Sequence, residues 1–331
     1  MDRRTLLSST VGALLAAAGA SAPAQTTKGV KPAAAPLLPK LKIYIPAGAG
    51  GGWDQTGRAL GAAIQASGLV TQVEYENKGG KGGTIGLADF VERYSHDPAA
   101  LMVGGMVMVG AIAVMQPTVT LANVAPVARL TSDYMVLVTP ANSKLKDMKS
   151  VVAAMQRDLG SLTFTGGSAG GVDHMLFGMM ARQLHLDAGA LNYEPTTSGK
   201  EAIALLASGK AQVASSSYSE FKAGIESKSL VPLAVSSRKG LFGIPSLWER
   251  GIQTDLANWR AVFGPALITD GQKDVLRKIV IHATESPVWR QSLLDNNWIG
   301  ALLYGKEFVD ALEIEQGMAS AVTTMLKLKK N

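Results

Sequence analysis

Three stretches of the chain put glycine where backbone N–H groups can approach an anion. The first, "KIYIPAGAGGGWDQTGRAL" at 42–60, runs through Gly48, Gly50, Gly51 and Gly52 into Trp53 and Asp54. In the second, "ENKGGKGGTIG", Gly79, Gly80, Gly82 and Gly83 lead to Thr84. The third, "TFTGGSAGGVDHM", contains Gly166, Gly167, Ser168, Ala169, Gly170 and Gly171 before Asp173 and His174. The first and third each read as strand, turn and helix. That setting leaves the first N–H groups of a helix unpaired at the positive end of its dipole, which suits an anion.

Nucleotide readings fail on detail. Lys78 and Lys81 are each followed by glycine, so no phosphate-loop motif forms. Trp53 stands where a dinucleotide fingerprint needs its third glycine. Gly166–Gly170 does satisfy G-x-S-x-G, the nucleophile elbow of serine hydrolases. A hydrolase built on Ser168 then needs a later histidine. The best-placed one, His282 in "RKIVIHAT", falls on an apolar helix, and Asp173 and His174 lie too close in sequence to be the usual partners. A Ser168 hydroxyl that caps the next helix or donates to a ligand accounts for the same residues with fewer demands. His174, in the first helical turn, is either a neutral imidazole that donates one hydrogen bond to a carboxylate or a plain surface histidine. Asp54 and Asp173 at helix starts read as local capping ahead of ligand contact, and Trp53 as a pocket lid or a packing residue.

The elements that carry these turns alternate from Leu41 onward, as in α/β layers with mainly parallel strands. Strand candidates are "LKIYI", "TQVEY", "ALMVGG", "YMVLVT", "SLTFTG", "AQVASS", "VPLAVS" and "WRAVFG". Helical apolar spacing marks 171–184, "KEAIALLASG" and the final "EFVDALEIEQGMASAVTTMLKL". "LMVGGMVMVGAIAVMQP" is too short for a membrane span and reads as a buried strand passing into a helix.

Composition narrows the function. At 331 residues, 47% hydrophobic and 18% charged, the chain is globular and long enough for two lobes. A formal charge of +6 without a basic run points away from nucleic acid. With no cysteine and four histidines at no ligand spacing, neither thiolate chemistry nor a metal or other cofactor is expected. Residues 1–24, "MDRRTLLSSTVGALLAAAGASAPA", have the layout of an export signal with small residues before Gln25; Arg3-Arg4 suits the twin-arginine route as well as general secretion. Residues 25–40 read as a flexible, proline-spaced leader.

The chain from about Leu41 to its end resembles the periplasmic solute-binding receptors of tripartite tricarboxylate transporters. The resemblance rests on "PAGAGGGWDQTGRAL", "YENKGGKGGTIGLADF", "LMVGGMVMVGA", "TGGSAGGVDHML", "SSSYSEF", "LAVSSRKGLFGIPSLWERGI" and "LANWRAVFGP", in that order. Trp53-Asp54 and Asp173-His174 look like its tricarboxylate-receptor branch. Lys78 and Lys81 depart from the family, which often has proline and alanine there. They either add charge for an extra carboxylate or are simply solvated.

The resemblance implies an α/β, two-lobed periplasmic binding protein (Venus-flytrap) fold with mainly parallel sheets. Lobe one would be residues 41–137 plus 258–331 and lobe two residues 138–257. It implies a receptor, not an enzyme, which closes on a small carboxylate and delivers it to membrane permease subunits, with a monomer as the default. A sensor that presents its closed form to a signalling partner is the alternative, and a Ser168 hydrolase the third. The ligand would be held by neutral donors at Gly50, Gly51, Gly52 and Trp53 on one side and Gly167, Ser168, Ala169 and Gly170 on the other. Thr84 and Ser217-Tyr218 are rim candidates, and Asp54, Asp173 and His174 complete the set. Citrate-like tricarboxylates, C4-dicarboxylates and aromatic dicarboxylates all remain open.

Overall fold

The alternation of apolar strands and amphipathic helices builds a βαβ unit first: β1 (Leu38–Ile45), α1 (Gly52–Ala66) and β2 (Val70–Asn77). The structure is a computed structural model and describes residues 35–328. The export signal expected over 1–24 and the leader as far as residue 34 lie outside the described residues. The leader is shorter than expected, because Leu38 and Lys40 already pair with Val70 and Gln72 of β2. α1 buries Leu60, Ala63 and Ile64 on one face, against β1 and β2.

α2 (Thr84–Tyr94), β3 (Ala100–Gly105) and α3 (Met106–Met115) follow. The methionine-rich segment is thus a fully buried strand running into a helix, as its length predicts. The chain then enters β4 (Val124–Pro140), whose 17 residues serve two sets of neighbours. Beyond it come α4 (Met148–Arg157), β5 (Thr163–Gly166), α5 (Val172–Gln183), β6 (Asn192–Pro195), α6 (Gly199–Ala207), β7 (Val213–Ser217), α7 (Tyr218–Glu226) and β8 (Leu230–Val235). The return strand β9 (Ala257–Pro265) leads to α8 (Asp270–Thr284), α9 (Pro287–Asp295), β10 (Gly300–Tyr304) and α10 (Gly305–Met325).

The sheet order is β2-β1-β3-β9-β4-β7-β5-β6, with β8 and β10 also on β4. The first part of β4 pairs with β9 and β10, and its last six residues pair with β7 and β8. One strand therefore belongs to two sheet halves. The expectation of mainly parallel sheets is corrected here, because the sheet is mixed. Pairs β1–β2, β1–β3, β5–β6 and β5–β7 are parallel, while β3–β9 and every pairing of β4 are antiparallel. The βαβ units supply the parallel pairs. The long strands that pass between the halves must run against them, and the hydrophobic pattern of a buried strand does not encode its direction.

Phe164 of β5 and Phe177 of α5 pack with ring centroids 4.7 Å apart in the main core. A second, smaller core lies around Val136, Ala202, Phe221 and Leu230. The end of α10 crosses to α5. Leu326 lies 3.0 Å from where a Cβ on Gly178 would be, and Lys327 pairs with Asp187 at 3.1 Å.

Candidate functional site

The first turn closes on its own aspartate. Gly50 adopts a left-handed backbone, φ +80°, which only glycine takes without strain. Its N–H donates to Asp54 Oδ2 at 2.8 Å. Arg58 Nε donates to the same carboxylate at 3.0 Å, and Asn77 Nδ2 donates to Oδ1 at 2.9 Å. Burial alone would raise the Asp54 pKa, but Arg58, Gly50 and Asn77 outweigh it and hold the carboxylate below its ordinary range. Asp54 therefore shapes the turn and is spent on it.

The third turn repeats the construction with different chemistry. Gly170 has φ +76°, and its N–H donates to His174 Nδ1 at 3.1 Å. In both turns the side chain four residues on accepts from a left-handed glycine. The bond fixes His174 as an acceptor at Nδ1, so the neutral ring carries its proton on Nε2. The imidazole is buried, not at the surface, and stacks on Tyr193 with centroids 4.1 Å apart. Burial lowers its pKa to about 4. Tyr193 Oη in turn donates to Gly167 O at 2.7 Å.

Asp173 sits behind this turn. It accepts from Gly167 N–H at 3.0 Å and from Ser215 Oγ at 2.6 Å. Burial raises its pKa to about 6 against the pull of those two donors, and the charge of Glu220 adds to the rise.

With these side chains committed, the helix ends stay uncapped. α4, α6, α8 and α9 begin with capping bonds from Asp147, Ser198, Thr269 and Ser286, but no side chain caps α1 or α5, nor α2, α3, α7 or α10. Gly51, Gly52 and Ser168 are exposed at these ends. The Ser168 hydroxyl is not a helix cap, since Gly171 holds that position and donates its N–H to the Ser168 carbonyl at 2.8 Å.

Other candidates fall elsewhere. Trp53 is buried under the second turn, beside Gly83 and Met108, and so packs and does not cover a pocket. Thr84 is buried and donates to Lys81 O at 2.9 Å. Lys78 pairs with Asp89, part of a surface network with Arg93 and Glu76. Ser217 and Tyr218 line a narrow recess of about 10 Å³ with Asp133, Phe242 and Trp298, where β4 passes between sheet halves. Tyr218 stacks on Phe242 there, at 4.0 Å. His282 lies on α8, in a hollow with Leu69, Lys278 and Glu285.

Two contacts reach the first and third turns from elsewhere in the fold. A Cβ on Gly110 of α3 would lie 2.5 Å from Gly170 O, so α3 rests directly on the third turn. Arg260 of β9, buried and missed by the sequence reading, reaches the start of α1. A Cβ on Gly52 would lie 3.0 Å from its Nη2. Arg260 also feels Glu220 of α7, which acts in turn on Asp173. The visible signal was an arginine within "NWRAVFG", a strand otherwise built for the core.

A strand shared between two sheet halves, with a glycine turn ahead of a helix in each, is the bilobed periplasmic-binding-protein fold. The model of the tripartite tricarboxylate transporter family receptor matches residues 60–301, and the chain belongs to that family. Solved structures agree on the fold. A TctC solute-binding protein from Polaromonas, without ligand, superimposes with TM-score 0.72 at 21% identity, over 86% of this chain and 98% of that one. R. palustris Rpa4515 with adipate gives 0.72 at 17%, over 87% and 97%. MatC from Rhodopseudomonas palustris with bound malate gives 0.67 at 18%, over 88% and 99%. As a member of a transport-receptor family, this protein binds and does not catalyse.

Proposed function

We propose that the protein is a periplasmic receptor that captures a small di- or tricarboxylate between its two sheet halves and hands it to membrane permease subunits. The lobes are residues 41–137 plus 258–331 and residues 138–257, joined through β4 and the return into β9. The observation that carries the reading is the duplicated turn: two left-handed glycines, each closed by a side chain four residues on, ahead of uncapped α1 and α5. Gly50, Gly51 and Gly52 on one side and Gly167, Ser168, Ala169 and Gly170 on the other supply neutral donors. Ser217 and Tyr218 border the space between. Adipate and malate in the two related structures make a dicarboxylate a natural first choice.

Two to four charge-assisted hydrogen bonds per carboxylate contribute about 1.5–3 kcal/mol each before ligand desolvation and lobe ordering are subtracted. The remainder suits a Kd of roughly micromolar, about −8 kcal/mol. A ligand that touches both halves favours closure because only the closed form offers both sets of donors.

The test is a thermal-shift titration with mono-, di- and tricarboxylates, aromatic ones included. A saturable rise in melting temperature for one subset is expected. A flat response across the panel removes the carboxylate reading.

A further inference from the structure

We propose that Arg260 reads the ligand's charge: it offers a second carboxylate a cation at the start of α1, so the receptor selects ligands with two or more carboxylates. This rests on the carboxylate-receptor reading above and narrows it.

Arg260 occupies a strand in which every residue from Trp259 to Pro265 is buried. A guanidinium there loses most of its hydration and needs strong partners. Those it has are incomplete. Nη1 lies 3.3 Å from Thr56 Oγ1, and the guanidinium lies over the Trp298 ring, 4.8 Å from its centroid. Nη2 lies 2.9 Å from Asp133 Oδ2, within ion-pair reach. The two are not aligned as a hydrogen bond, because neither Asp133 oxygen has a hydrogen-bond partner among the described residues. The Ile299 N–H also faces that carboxylate without reaching hydrogen-bonding geometry. An aligned two-pronged Arg–carboxylate pair, the arrangement that satisfies a guanidinium best, is missing.

The surroundings add positive potential. Gly52 leaves room for Nη2 beside the first turn of uncapped α1, at the positive end of the helix dipole. A buried cation held against that end is unfavourable, and the Asp133 carboxylate, in ion-pair reach but unaligned, compensates it only in part. Of the other cations near the glycine turns, Arg58 pairs with Asp54 and Lys78 with Asp89, while the exposed Lys81 has no ion pair among the described residues. The charge of Glu220 of α7, which is held by Gly199 N–H and Ser216 Oγ, also acts on Arg260. Trp298, over whose ring the guanidinium lies, also borders the narrow recess with Asp133, Ser217 and Tyr218. One carboxylate then meets the helix N–H groups, and the other meets Arg260 in place of its poorly aligned contact with Asp133.

Calorimetric titration tests this with succinate and adipate, their monoamides, and propionate. Wild-type protein is expected to bind at least one diacid about tenfold or more tighter than its monoamide. Arg260→Gln is expected to weaken diacid binding about 10- to 100-fold, a charged hydrogen bond's share, and monoamide binding less than about threefold. Arg260→Lys should recover part of the loss. An Arg260→Gln protein that stays folded and keeps the wild-type preference overturns the inference and makes Arg260 a tie between β4 and β9. If Arg260→Gln does not fold, the wild-type ratio decides: a diacid preference below about threefold overturns the inference, and one of tenfold or more supports it. Failure of every acid to bind wild-type protein removes the receptor reading, and this inference with it.

Discussion

Asp173 and His174 are adjacent, buried and pushed off their ordinary pKa values in directions whose effects on stability oppose each other. Asp173 rises from 3.8 to about 6 in the folded state. Between those values the folded protein holds a proton that the unfolded chain has lost, so this group makes stability fall as pH rises. His174 drops from 6.5 to about 4. In that window the unfolded chain holds the proton and the folded protein does not, so this group makes stability rise with pH. At about 1.4 kcal/mol per unit, each contributes about 3 kcal/mol over nearly the same range, roughly pH 4–6, and the two offset. Asp173→Asn keeps an acceptor for the Gly167 N–H and a partner for Ser215 while removing one titration. Urea unfolding from pH 4 to 7 should then show stability falling on acidification by about 2–3 kcal/mol more than in wild type. His174→Asn keeps an acceptor for the Gly170 N–H but loses the stack on Tyr193. It should be less stable throughout and should gain stability, relative to wild type, as pH falls. Parallel curves for wild type and Asp173→Asn would refute the buried-carboxylate account of the third turn.

Gly110→Ala should push α3 off the third turn, because its Cβ would meet Gly170 O at 2.5 Å. A loss of about 1–3 kcal/mol in urea and at least tenfold weaker carboxylate binding are expected, and an unchanged affinity would show that the contact does not shape the site. Ser168→Ala should weaken binding several-fold with the melting temperature nearly unchanged; an identical titration removes this hydroxyl from the site. Asp54→Ala leaves the Gly50 N–H and Asn77 without their shared acceptor and should cost about 2–4 kcal/mol in chemical denaturation.

Much of this was legible in the sequence. Each of the eight strand candidates overlaps a strand, because each is an apolar run bounded by turn residues, though "SLTFTG", "AQVASS" and "VPLAVS" run one or two residues past β5, β7 and β8. β6 and β10 were not seen. "NYEP" carries no apolar run, and "GALLY" has a short one whose residues are all exposed or half exposed. Strand direction was invisible as well, since β4 and β9 look like any buried strand until their partners are known. At the site, the glycine turns could be read directly because their geometry is local. Asp54 and Asp173 bond within the turns and cap neither helix, and the surface reading fails for His174, whose burial depends on Tyr193 nineteen residues away. Trp53 and Arg260 show the same limit. A tryptophan beside a turn and an arginine in a strand take their roles from Gly83 and Gly52, which only the fold brings to them.

The central claim is that one carboxylate ligand touches both turns at once. Amide chemical shifts followed by NMR during titration with adipate or malate address it most directly. Concerted, saturating shifts at Gly50–Gly52 and Gly167–Gly170, with one shared Kd, are the expected result. Shifts confined to one turn, or centred on another surface while both turns stay still, would contradict it.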